Sequence, residues 1–107
     1  MPQLNLSQLD LPAKHVATLL ALLKAYTPDA QVWAYGSRVM GQAHEGSDVD
    51  IVLRHKTDLS RPVQGLESLV IAIQESNIPI LVDVHQWSSL PISFHDNIEN
   101  AYVEIQS

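Results

Sequence analysis

Cysteine is absent from this chain of 107 residues, and lysine and arginine together occur only 6 times. Without cysteine there are no disulfides, no thiolate nucleophile and no Cys-based zinc site, a composition that suits a reducing compartment. With 12 acidic residues against those 6 basic ones the net charge is -6. The average field therefore repels phosphate backbones, and direct nucleic-acid binding is not expected. No run of 18 consecutive apolar residues exists, so no membrane span is expected. The first ten residues have neither a basic cluster nor a continuous apolar stretch, so they do not read as a secretory signal and the cytoplasm is the default location. The length predicts one domain over residues 1–107 with one core, too small for a large enclosed substrate cavity.

The hydrophobic pattern divides the chain into alternating elements. Asp10 is a plausible N-cap with Pro12 in the first turn, and Val16, Leu19, Leu20, Leu22, Leu23 and Tyr26 recur at helical spacing over about residues 11–26. Ala30 to Tyr35 is short, β-branched and aromatic, and reads as a strand that stops at Gly36. Ser37 to Ala43 is long enough for one or two helical turns, and His44 to Ser47 makes a turn. A second strand covers Asp48 to Leu53. Pro62 opens a helix carrying Leu66, Leu69, Val70 and Ile73, Ile80 to His85 is a third strand, and Ser88-Ser89-Leu90-Pro91 starts a last helix carrying Ile92, Ile98, Ala101 and Tyr102. The order predicts an α/β chain of the α+β type, a small mixed sheet with helices mainly on one face.

The chemistry concentrates between residues 36 and 50. Gly36 permits a tight exit from its strand and close backbone approach to a ligand. Ser37 adds a hydroxyl to free backbone N–H groups at a position that favours anions. Side chains alternate along a strand, so Asp48 and Asp50 are expected on one face with Val49 and Ile51 on the other. In the third strand Asp83 shares a face with Leu81 and His85, and joins the pair if the two strands are neighbours. Carboxylates about 5 Å apart repel by roughly 3 kcal/mol per pair at an effective dielectric near 20. Three of them call for a divalent cation, and hard Mg²⁺ or Mn²⁺ prefers such oxygen ligands and shares them with substrate phosphates. Two such ions can organise an in-line nucleotidyl displacement, with Asp83 as ligand and base for the attacking hydroxyl. An aspartate inside a strand, flanked by Val and Ile as Asp50 is, is hard to explain without a ligand. His85 reads as structural, His15, His44, His55 and His95 show no ligand spacing, and Trp33, Tyr35 and Trp87 read as core and rim aromatics.

Gly36-Ser37, ten intervening residues, Asp48-x-Asp50 and then Asp83 in an apolar strand resemble the signature of the DNA polymerase beta-like nucleotidyltransferase superfamily. From average residue usage this pattern arises by chance in a chain of this size on the order of once in a thousand. Gly41, Ser47 and the Asp83-Val-His-Gln-Trp87 stretch before a Leu-Pro helix are most similar to the superfamily's minimal nucleotidyltransferase branch, over roughly residues 28–105. The resemblance implies the nucleotidyltransferase fold, nucleotide binding at Gly36 and Ser37, and metal and catalytic carboxylates at Asp48, Asp50 and Asp83. Arg38 is the nearest cation and is assigned to the nucleotide as a partner for the outgoing pyrophosphate. The chain departs from commoner versions at His44-Glu45, which places an acid near the phosphate loop.

Members of that branch are often antitoxins of HEPN ribonuclease toxins. The resemblance thus implies Mg²⁺-dependent transfer of AMP from ATP to a hydroxyl of such a toxin, a tyrosine, within a hetero-oligomer. The length leaves no room for an acceptor domain, so the acceptor is expected from a partner protein. The alternative is a non-catalytic module that neutralises a partner by complex formation, for which an acidic surface suits a basic RNA-binding one. An aminoglycoside-type transferase is a more distant reading, because its acceptor domain is missing.

Overall fold

The computed structural model describes residues 3–44 and 46–107. Its helices and strands follow one another as β1 (Gln3–Leu4), α1 (Ala13–Tyr26), β2 (Ala30–Tyr35), β3 (Val49–His55), α2 (Leu66–Gln74), β4 (Val82–Gln86), α3 (Ile92–Asn100) and β5 (Tyr102–Gln106). Short 3₁₀ turns occupy Leu6–Gln8 and Trp87–Ser89. The strands form one mixed sheet in the order β1-β5-β2-β3-β4. β2 is antiparallel to β3 and β5, while β4 runs parallel to β3 and β1 parallel to β5. This is the mixed α/β architecture expected of a nucleotidyltransferase fold, with a radius of gyration of 12.8 Å.

Period-two alternation divides the sheet into two faces. Val32, Ala34, Val49, Ile51, Leu53, Val82, Val103 and Ile105 point to one side, where Leu19 and Leu23 of α1 and Leu69 and Ile73 of α2 close the main core. Trp33 and Val52 point to the other side and meet Trp87 of the second 3₁₀ turn and Ile98 of α3. Two of the three helices therefore lie on one face, and α3 covers part of the opposite one.

On that second face the Arg54 guanidinium lies 3.7 Å from the Trp33 ring centroid and 4.4 Å from that of Trp87. Trp33 stacks in turn on Tyr102 at 3.8 Å, and Trp87 on His95 at 4.0 Å. His95 also reaches the Trp87 carbonyl through Nε2 at 2.8 Å. The result is a continuous pile from β5 through β2 and β3 to α3, in which the cation faces two rings at once.

Several boundaries depart from the sequence expectation for identifiable reasons. α1 starts after Pro12, not at an Asp10 cap, because the Asp10 backbone is bonded at both ends to Arg38. α2 starts at Leu66, not Pro62. The Gln86 amide clamps the backbone of Val63, accepting from its N–H (2.9 Å) and donating to its C=O (2.8 Å). Gly65 then caps the helix at φ +95, where an added Cβ would stand 2.4 Å from the Tyr26 carbonyl oxygen. Ser37 to Gly41 forms a single turn, with no helix. The last helix stops at Asn100, since burial of Val103 and Ile105 makes Tyr102 to Gln106 a strand. Among the described residues, no helix is long and apolar enough to cross a membrane.

Candidate active site

The carboxylate positions follow from strand register. Asp50 in β3 is paired directly with Asp83 in the parallel neighbour β4. On its other flank Asp50 is paired with Tyr35 in β2. The three side chains thus cross adjacent strands on the face that α3 leaves partly open, and neighbouring strands lie about 4.8 Å apart. Asp83 is exposed, and its Oδ2 lies 3.1 Å from Nε2 of His85, which shares its face of β4.

Burial and neighbouring charge act together on Asp50. Partial desolvation raises its pKa first, the Asp83 carboxylate raises it further, Asp48 adds to the same effect, and His85 opposes it. The Tyr35 phenol feels the same field: burial, then Asp50 and Asp83, push it up to about 12. Tyr35 therefore stays a neutral hydroxyl at any physiological pH. Its placement beside the acids was the part that sequence reading missed, because only the β2–β3 register aligns residue 35 with residue 50.

Asp48 falls one residue outside the strand that was expected to begin with it. The strand begins at Val49, and Asp48 lies just before it with an exposed side chain. It contributes to the negative field at Asp50 without sharing the strand pairing. Among the described residues, no group of three His, Asp or Glu side chains is assembled to hold a metal ion. The donor chemistry nevertheless fits a hard divalent cation, since Asp50 and Asp83 offer carboxylates from directly paired strand positions, and burial together with the charges of Asp83 and Asp48 disfavours the ionised form of Asp50.

The turn after β2 brings the backbone against this acid. Gly36 adopts φ +86, and a Cβ there would stand 2.6 Å from Asp50 Oδ2. The Gly36 carbonyl accepts from the N–H groups of Val39 (3.0 Å) and Met40 (3.2 Å), which curls the loop tightly. Ser37 follows, partly exposed, with no bonding partner for its N–H or hydroxyl among the described residues. Gly36→Ala is expected to cost about 1–2 kcal/mol through its left-handed backbone. It would also displace the Asp50 carboxylate and reduce nucleotidyl transfer about ten-fold or more. Thermal unfolding and steady-state rates check both, and a fully active, equally stable variant would disprove the close contact.

Arg38 requires a correction. It is 5% exposed, and its guanidinium donates to backbone carbonyls: Nη1 to Asp10 (2.6 Å), Nε to Ser47 (2.9 Å) and Nη2 to His44 (3.5 Å). Instead of facing a pyrophosphate, it ties the segment leading into Asp48 to the residues before α1. Planar, multidentate guanidinium geometry suits this use. Arg38 is thus a positioning residue for the loop. Glu45, expected near the phosphate loop, lies outside the described residues.

Residues 16–106 match the family described as "Nucleotidyltransferase domain". The chain is also 33% identical over 102 residues to "Probable protein adenylyltransferase MntA" of Haemophilus influenzae, covering 95% of this chain and 88% of that relative.

Proposed function

This chain belongs to the nucleotidyltransferase domain family and is a nucleotidyltransferase enzyme, and from that premise we propose that it transfers AMP from ATP to a hydroxyl of a partner protein. The observation that carries the proposal is the direct register pairing of Asp50 with Asp83, beside a Gly36 turn whose backbone lies against the Asp50 carboxylate. The relative's name, protein adenylyltransferase, supports a protein acceptor. The resemblance to minimal nucleotidyltransferases supports a HEPN ribonuclease toxin as that acceptor, a tyrosine as the modified residue, and antitoxin action as the outcome.

In this reading Gly36 and Ser37 receive the triphosphate, the glycine through absence of a side chain and the serine through its N–H and hydroxyl. Asp48, Asp50 and Asp83 would hold Mg²⁺, or Mn²⁺ in its place, which when bound neutralises phosphate charge and polarises the phosphoryl oxygens. Asp83, exposed on the edge strand, accepts the proton of the acceptor hydroxyl. The acceptor oxygen forms a bond to the α-phosphorus, the bond from that phosphorus to the bridging oxygen breaks, and pyrophosphate leaves. His85 orients the Asp83 carboxylate through its 3.1 Å contact.

The test is incubation of the protein with ATP, Mg²⁺ and the toxin encoded beside it, followed by mass spectrometry of both chains. A gain of one or more AMP units on a toxin tyrosine, lost in Asp50→Asn, is expected. If the wild type transfers nothing and Asp50→Asn still protects cells from the toxin, the protein acts by complex formation and the enzymatic proposal fails.

A further inference from the structure

The end of the sheet remote from the carboxylates carries a second concavity. A half-open cleft of about 890 Å³ lies between the loop after α1, the end of β3 and the segment before α2. Its walls include Tyr26, His55, Lys56 and Arg61. His55 ends the β3 pairing at Ala30, whereas Asp50 pairs with Tyr35 at the other end. At about 3.3 Å per residue, the two sites are roughly 17 Å apart along β3. The volume lies within the usual range for small-molecule sites.

The charge of this cleft is opposite to that of the molecule. Of the 6 lysines and arginines in the chain, two line it, against the single acid Asp29. Neither Lys56 nor Arg61 forms an ion pair with a carboxylate among the described residues. Asp58 is not part of the cleft wall; the Ser60 hydroxyl (2.6 Å) and N–H (3.0 Å), and then the charges of Arg61 and His55, hold its carboxyl below the usual range, and it forms no ion pair with either cation. The His55 ring is fixed as well. Its Nδ1 accepts from the N–H groups of Thr57 (3.3 Å) and Asp58 (3.1 Å), so a neutral ring carries its proton on Nε2. Tyr26 adds an aromatic ring that is 43% exposed.

We propose that this cleft is a second ligand site, taking a small molecule that joins a phosphate to a flat ring, a nucleoside monophosphate by class. Lys56 and Arg61 take the phosphate through charge-assisted bonds, the His55 Nε2–H donates to the ligand, and the exposed Tyr26 ring stacks on the base. The site is independent of the transfer reaction. It uses none of Gly36, Ser37, Asp48, Asp50 or Asp83 and needs no divalent cation.

The experiment is titration of the ¹⁵N-labelled protein with AMP in the presence of a chelator, followed by amide NMR. Shifts are expected at Thr57, Gln64 and Gly65 and not at Gly36 or Ser37. A K56A/R61A double variant should weaken AMP binding about ten-fold or more with its remaining spectrum, and hence its fold, unchanged. Asp50→Asn should bind AMP as the wild type does, so loss of catalysis and loss of this site are read separately. Ribose 5-phosphate and adenosine, tested alone, should each bind more weakly than AMP. Shifts confined to the Gly36 loop, undiminished binding by the double variant, or equal binding of ribose 5-phosphate would each overturn the proposal.

Discussion

Asp50→Asn should lower nucleotidyl transfer about a thousand-fold or more while leaving the protein at least as stable as the wild type. The substitution keeps shape and removes charge, so lost activity reports the carboxylate itself. The stability half follows from linkage. The folded pKa of Asp50 is raised, chiefly by burial and then by Asp83 and Asp48, so the folded state holds this proton more tightly than the unfolded chain. Its favourable contribution is present below the unfolded value of about 3.9 and is lost as pH rises through the folded pKa. At neutral pH the wild type therefore carries a repulsion that Asn lacks. Melting temperatures of both proteins from about pH 3 to pH 8 should show the variant ahead at neutrality and the gap closing in acid. A variant that is less stable at pH 7 and still transfers AMP contradicts both halves.

Trp33→Ala is expected to destabilise the fold by about 3–5 kcal/mol, the usual range for deleting a large buried aromatic. For a domain of this size that corresponds to a melting temperature lower by roughly 10–25 °C. The indole is 7% exposed and joins three strands, lying beneath Arg54 of β3, against Tyr102 of β5 and edge-on to Trp87 at 5.6 Å. Its removal opens a void and leaves the Arg54 guanidinium with one ring instead of two. Trp33→Phe should cost much less. The Nε1 group it deletes is buried without a partner among the described residues, so no hydrogen bond to them is lost with it. Urea unfolding followed by circular dichroism measures both. Equal losses for Ala and Phe would show that the indole packing is not what matters.

The distance between sequence and structure can be read residue by residue. α1 and β2 to β4 were legible because apolar spacing alone identifies a helix or a strand whose burial is strong and regular. β1 and β5 were not. Gln3–Leu4 is too short to show a period, and Tyr102 follows Ile98 at helical spacing although it begins a strand. At the site, Asp50 and Asp83 stood out as acids inside apolar strands, and the Gly36-Ser37 turn and Asp48 through their spacing relative to them. The role of Arg38 could not be read in that way. Its carbonyl partners among the described residues come from residues 10, 44 and 47, and no local pattern indicates that a cation will bind backbone oxygens.

By itself the sequence determined the family, the glycine turn and the carboxylate chemistry, since these depend on residue type and short spacing. Tertiary structure decided which groups meet. Parallel pairing of β3 with β4 put Asp83 against Asp50, antiparallel pairing with β2 brought Tyr35 alongside, and the strand boundary left Asp48 outside the pairing. The same strands carried His55 to the far end, where Lys56 and Arg61 line a cleft of opposite charge. Hydrophobic period is a local property written along the chain. Register and strand order are long-range choices, fixed when strands distant in sequence bury a common apolar face together.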